Sequence, residues 1–188
     1  MELNDALAVL ARNRGENVVI TTMASVGAWP QFSDTPLDFA YMPSSMGQGP
    51  AIALGLALAQ KERGVVVISG DGSLLMNLGS LVTLASYPAR VYLIIMDNGL
   101  YEVTGGQPTV GSGRVDYAAL ARASGFQRTY TFDSREQWQT EASQALTGPG
   151  PVAIWLKIKG KYGQKTPRPP RPMPEQLQRL QAALQVSS

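Results

Sequence analysis

Two short clusters in this 188-residue sequence carry side chains suited to chemistry, Gly70-Asp71-Gly72-Ser73 and Asp97-Asn98-Gly99. Asp71 supplies a hard anionic oxygen and Asn98 a neutral one, and a main-chain carbonyl from the turn after Asn98 brings the protein oxygens to three. That inventory suits a Mg²⁺ ion that keeps few protein ligands and takes its remaining oxygens from phosphates. Gly70 and Gly72 allow backbone to approach a ligand closely, and the hydroxyl and N–H of Ser73 face the same place. Asp, Asn and Gly are also common in ordinary strand-to-helix turns, and either cluster alone reads as such a turn. The spacing alters that balance: Asn98 follows Asp71 by 27 positions, with one helix and one strand between them.

Composition narrows what such a site can do. The chain has no Cys and no His, which excludes disulfides, thiolate nucleophiles, cysteine-ligated zinc, iron–sulfur clusters and the usual imidazole base. Chemistry must run on carboxylates, amides, hydroxyls, backbone groups or a borrowed cofactor. With 44% hydrophobic and 16% charged residues the chain is not a disordered polyelectrolyte. Its length predicts one compact domain. No apolar run reaches the ~18 residues of a membrane span, and the N-terminal segment is amphipathic and unlike a signal peptide, so a cytoplasmic protein is expected. The net charge of +2 is unevenly placed: residues 1–156 carry 9 Lys/Arg against 13 Asp/Glu, residues 157–188 carry 7 against 1. The basicity belongs to the tail, and neither a nucleic acid nor a membrane is expected as partner.

Elements that would position the two clusters are readable from hydrophobic pattern. Apolar runs at Val18–Ile20, Val65–Ser69 and Val91–Met96 predict buried strands, and residues 126–132 and 152–158 are expected to be extended. Helices are expected at 2–13, where Leu3, Leu7 and Leu10 fall at helical spacing, at 50–62 with Pro50 in the first turn, and at 74–86, 116–124 and 134–147. Within the second helix Ala51, Gly55 and Ala59 form a small-residue stripe open to close helix approach. Residues 23–46, with Pro30, Pro36 and Pro43, read as irregular. The alternation predicts an α/β fold over residues 1–160, an open parallel sheet with helices on both faces. Residues 161–188 read as a basic, Pro-rich C-terminal arm that wraps a neighbour or hangs in solvent, with a short helix at 174–185. Ligands of such a sheet bind at the carboxyl ends of its strands, where both clusters lie.

The pattern GDGS…DNG resembles the cofactor motif of thiamine diphosphate-dependent enzymes. By that resemblance the Asp71 and Asn98 side chains and the Leu100 carbonyl are ligands of the Mg²⁺ that holds the diphosphate; Asp97 stands where many relatives have Asn. PSSMGQGPAIALGLALA, residues 43–59, is similar to the segment of acetolactate synthase and related decarboxylases that props the bent cofactor. Met46, 25 positions before Asp71, matches the propping residue, and the Ser44 carbonyl matches the acceptor for the aminopyrimidine amine. A flexible, polarizable thioether suits that role, while core packing would account for a lone Met. A dinucleotide loop at Gly47-Gln48-Gly49 fails at Ile52, where a third Gly is required. DNGLYEVTGGQPT, residues 97–109, resembles a segment of the phosphonopyruvate and sulfopyruvate decarboxylases and implies a loop over the diphosphate or the substrate's acidic group; a Gly-rich surface turn is its plainer reading. Gly70, Gly72, Ser73, Tyr101 and, after the first strand, Ser25 complete the implied cofactor contacts.

Enzymes of this family use two domains. One anchors metal and diphosphate; the other, pyrimidine-binding, supplies a Glu that activates the cofactor for attack on a 2-oxo acid. The resemblance covers roughly residues 15–160 and only the first domain. Glu16, Glu62 and Glu102 lack a pyrimidine-domain context, so no catalytic residue is expected on this chain. The resemblance implies the beta-type subunit of a non-oxidative 2-oxo acid decarboxylase, using thiamine diphosphate and Mg²⁺ on a small 2-oxo acid with a second anionic group such as sulfonate or phosphonate. It implies a homo- or hetero-oligomer completed by a pyrimidine-binding, alpha-type subunit. A ferredoxin-linked oxidative subunit is disfavoured by the lack of Cys, and a transketolase-type enzyme by the lack of His. The alternative from another class is a stand-alone thiamine diphosphate-binding or regulatory module without turnover.

Overall fold

The computed structural model describes residues 1–162 and 167–185. At its centre is an all-parallel sheet of β1 (Val18–Thr21), β2 (Asp38–Ala40), β3 (Val65–Gly70), β4 (Val91–Asp97), β7 (Arg128–Phe132) and β8 (Val152–Lys157), ordered β2-β1-β3-β4-β8-β7. Between β4 and β7, β5 (Leu100–Tyr101) and β6 (Gln107–Pro108) form a separate antiparallel hairpin. Helices α1 (Leu3–Asn13) and α7 (Arg135–Ala145) cover one face of the sheet. Helices α3 (Gly49–Ala59), α5 (Gly79–Ala85), α6 (Tyr117–Ala123) and α8 (Met173–Gln185) cover the other, and α2 (Ser25–Ala28) and α4 (Asp71–Leu75) are short helices following β1 and β3. This is the α/β fold that the apolar runs predict. In β4, Val91, Leu93 and Ile95 enter the core under α3 and α5, while Tyr92, Ile94 and Met96 enter the core with Leu7, Leu10 and Trp138. A strand buried on both faces has no place for polar alternation.

The chain runs from β1 outward to β2 and from β3 the opposite way to β4. The loops after β1 and β3 therefore diverge and leave a crevice at the carboxyl ends of the strands, the ordinary ligand position of such sheets.

Three expectations differ from the structure. Residues 23–46 contain α2, a 3₁₀ turn at Trp29–Gln31 and the edge strand β2, whose three residues are fixed by lateral pairing with β1 (Ile20 opposite Phe39) and not by a local apolar run. The continuous helix expected over 74–86 is two helices, α4 and α5, broken at Met76–Leu78, and α4 starts earlier, at Asp71. The C-terminal segment returns to its own body. Leu180 and Leu184 join the core, the Gln176 side-chain oxygen accepts the Ala40 N–H at 2.8 Å, and Arg171 forks onto Asp34 through two contacts of 2.6 Å. Residues 171–185 thus pack on their own body, because an amphipathic helix finds apolar cover beside β2. Residues 163–166 of the expected Pro-rich arm lie outside the described residues. Among the described residues no helix is long and apolar enough to cross a membrane.

Candidate functional site

The crevice is lined by Thr22 to Ser25 after β1, by Met46, by the Gly70–Ser73 turn, and by Asn98, Leu100 and Tyr101 beyond β4. Nine of the ten residues expected at the site share this one cleft. Ser44 does not line it; its hydroxyl is buried without a hydrogen-bond partner in the loop that leads to Met46. Ser25 lines the cleft, but its hydroxyl serves its own turn, donating to the Thr22 carbonyl at 2.6 Å and accepting the Thr22 N–H at 3.2 Å. In that turn Met23 has φ 51°, the one non-glycine residue with positive φ among the described residues.

Asp71 heads α4 with 1% of its surface exposed. Its Oδ2 accepts the Thr109 hydroxyl at 2.9 Å. Burial pushes its carboxyl up to about 6; the Thr109 bond acts against that shift and the neighbouring Asp97 charge adds to it. Among the described residues no cationic side chain forms an ion pair with Asp71. Asn98 Oδ1 accepts the Leu100 N–H at 2.9 Å, which leaves that oxygen a second lone pair. Asp97 is occupied in holding the turn: its oxygens accept the Trp155 Nε1–H at 2.9 Å and the Gly99 N–H at 3.2 Å. Tyr101 lays its ring over Gly72, where a Cβ would come within 2.6 Å of two ring carbons, so only glycine permits the approach.

These donors fit a hard cation that shares its coordination with phosphate. The described residues hold no group of three or more His, Cys, Asp or Glu side chains able to bind a metal unaided. Asp71, however, is a buried carboxylate short of positive charge, beside a neutral amide oxygen and a turn carbonyl. Sequence reasoning missed Thr109, whose contact with Asp71 spans 38 residues; its place at the end of TGGQPT was the available signal. Glu102 also lines the cleft, buried, with its carboxylate accepting the Lys161 N–H.

Residues 21–155 match the family model described as thiamine pyrophosphate enzyme, C-terminal TPP binding domain. The chain belongs to the thiamine pyrophosphate enzyme family. It is 42% identical over 120 residues to phosphonopyruvate decarboxylase from Streptomyces hygroscopicus, across 63% of this chain and 29% of that protein. It is 36% identical over 145 residues to sulfopyruvate decarboxylase subunit beta from Methanocaldococcus jannaschii, across 76% of each chain. In fold it matches the thiamine diphosphate-dependent 4-hydroxybenzoylformate decarboxylase of Rhodococcus jostii RHA1 with TM-score 0.70 at 21% identity, over 86% of this chain and 33% of that one. The chain therefore spans less than half the length of the phosphonopyruvate decarboxylases it matches.

Proposed function

We propose that this chain is the diphosphate-binding, beta-type subunit of a thiamine diphosphate- and Mg²⁺-dependent, non-oxidative 2-oxo acid decarboxylase, completed by a pyrimidine-binding, alpha-type partner that brings the catalytic Glu. The observation that carries this reading is the meeting of Asp71, Asn98 and Leu100 in the crevice beside β1 and β3, with Met46 lining the same cleft. Asp71, the Asn98 amide oxygen and the Leu100 carbonyl hold the cation. Gly70, Gly72, Ser73, Tyr101 and the Ser25 turn would border the diphosphate and Met46 would support the rings, while Ser44, which does not line the cleft, is given no contact with the cofactor. Bound there, thiamine diphosphate supplies the electron sink that a 2-oxo acid needs in order to lose carbon dioxide. The chain's own part is electrostatic and steric: the cation relieves the buried Asp71 carboxylate, and the Tyr101 ring shields the Gly72 backbone from water.

Two features support a partner. Glu102, the other cleft-lining carboxylate, accepts the Lys161 N–H and lies in the DNG…TGGQ segment of the diphosphate-binding half, so we assign the catalytic Glu to a partner. Helix α3, which has no charged residue, leaves Ala51, Gly55, Leu58 and Ala59 exposed next to α5, where Val82 is exposed, with Met76 and Leu78 exposed in the turn before it. An apolar surface of this kind marks a protein interface. The names of the relatives, phosphonopyruvate decarboxylase and sulfopyruvate decarboxylase subunit beta, support a substrate bearing a second anionic group, phosphonate or sulfonate.

Calorimetry with Mg²⁺ and thiamine diphosphate is expected to show binding that Asp71→Ala abolishes, and unchanged binding in that variant would overturn the site. Decarboxylation of sulfopyruvate or phosphonopyruvate is expected only once the partner is added. Robust turnover by this chain alone would refute the half-site, and cofactor binding without turnover in the partnered protein would favour the regulatory module.

A further inference from the structure

The break between α4 and α5 places Asn77 in a defined position. Its N–H donates to the Leu74 carbonyl at 3.0 Å, and its carbonyl accepts both the N–H (3.0 Å) and the hydroxyl (2.7 Å) of Ser80. So anchored, its side chain reaches across 30 residues of sequence, with Nδ2 donating to the Gly47 carbonyl at 3.1 Å. The other backbone group of Gly47 is held as well: its N–H donates to Ser73 Oγ at 2.9 Å. Gly47 is buried with φ +85°, and a Cβ there would stand 2.6 Å from the Cβ of Asn77, so the approach is too close for any other residue. Met46, immediately before Gly47, lines the cleft, and Ser73 follows Asp71 by two positions. Gly47 thus joins the loop carrying Met46 to the helix that carries Asp71.

We propose that Asn77 is a positioning residue which, with Ser73, clamps Gly47 and so sets the distance of Met46 from the Asp71–Asn98 end of the cleft. This role rests on the cofactor reading above and adds to it a residue that makes no contact with the ligand. It also gives the helix break a purpose, because Asn77 meets Gly47 from the turn between α4 and α5 and not from a continuous helix.

A ligand confined to the Asp71 end does not use Met46, whereas one whose rings extend along the cleft does. The test compares inorganic diphosphate with thiamine diphosphate, each with Mg²⁺, by calorimetry on the full chain, on Asn77→Ala and on Asn77→Leu, which keeps most of the volume and lacks the donor. In both variants thiamine diphosphate affinity is expected to fall about tenfold while inorganic diphosphate affinity stays within about twofold. Retained inorganic diphosphate binding also reports that the variant is folded. Wild-type thiamine diphosphate affinity in Asn77→Leu, or an equal loss of both ligands, would overturn the clamp alone. Failure of the unaltered chain to bind thiamine diphosphate would overturn the cofactor reading and the clamp with it.

Discussion

Helices α3 and α7 are equally long, at eleven residues, and each sinks one stripe into the core, yet their outward faces are chemically opposite. Helix α7 buries Trp138, Ala142 and Ala145 and turns Arg135, Glu136, Gln137, Gln139, Thr140 and Glu141 to water. Helix α3 buries Pro50, Ala53, Leu54 and Ala57 and exposes Ala51, Gly55, Leu58 and Ala59, with no polar side chain along its length. Lys, Glu or Gln would serve its helical propensity nearly as well as Ala and Leu. Their absence therefore reports on surroundings and not on helix formation, since a helix apolar all round belongs in an interior. The α1–α7 side of the sheet is finished as a solvent surface. The α3–α5 side, where Asn77 meets Gly47, presents the apolar face that the proposed partner would cover.

Charge tests that contrast most severely. Gly55→Arg, at a position where a Cβ meets nothing within 4 Å, is expected to leave the chain folded but abolish co-elution with the partner and the decarboxylation that depends on it. Gln139→Arg on α7 is expected to leave both intact, and size-exclusion chromatography of mixed subunits compares them; equal behaviour would erase the distinction. Inside the core the two helices should instead behave alike. Trp138, with no exposed surface and its Nε1–H on the Ala6 carbonyl, is expected to cost about 3–5 kcal/mol on change to Ala, and Leu54→Ala about 2–5 kcal/mol, both read from denaturant midpoints.

Asp71 sharpens the comparison at the crevice, where a carboxyl group is buried without a cationic partner among the described residues, as the proposed cation site requires. Its carboxyl is raised from 3.8 to about 6, so between those values the folded chain binds more protons than the unfolded chain. Ligand-free stability should therefore fall as pH rises from about 4 to about 6 and stay low above it. Asp71→Asn removes that loss, with an expected gain on the order of 2–3 kcal/mol at pH 8 together with loss of Mg²⁺-dependent binding. Melting curves at pH 8 decide it, a variant no more stable than its parent being the contrary result. The smallest effect belongs to Leu58→Gln on the outside of α3, expected to shift the isolated chain by less than about 0.5 kcal/mol in the same melts while weakening assembly.

Features encoded within a single segment were legible in the sequence; those made by contact between distant segments were not. Runs such as Val91–Met96 announce a strand buried on both faces, and Asp71 and Asn98 stand out because polar turns directly follow such runs. Strand β2 has only three residues and exists because β1 offers it a register, Val19 against Asp38. The α4–α5 break had a local signal in Asn77 and Gly79, both poor helix formers, but the contact that Asn77 makes there was not legible, because Gly47 is 30 residues away. Thr109 escaped for the same reason, and so did the docking of α8, where Leu180 and Leu184 reveal an amphipathic helix but not the face that receives it.

An open sheet ends in strands whose outer backbone groups invite pairing with another molecule. Here one margin is already plugged: β2 is short, and the Ala40 N–H is taken by Gln176 from α8. The C-terminal helix thus guards the chain against edge-to-edge sticking. Copies shortened before α8 would be prone to fibre-like strand addition at β2, even with crevice and helical faces intact.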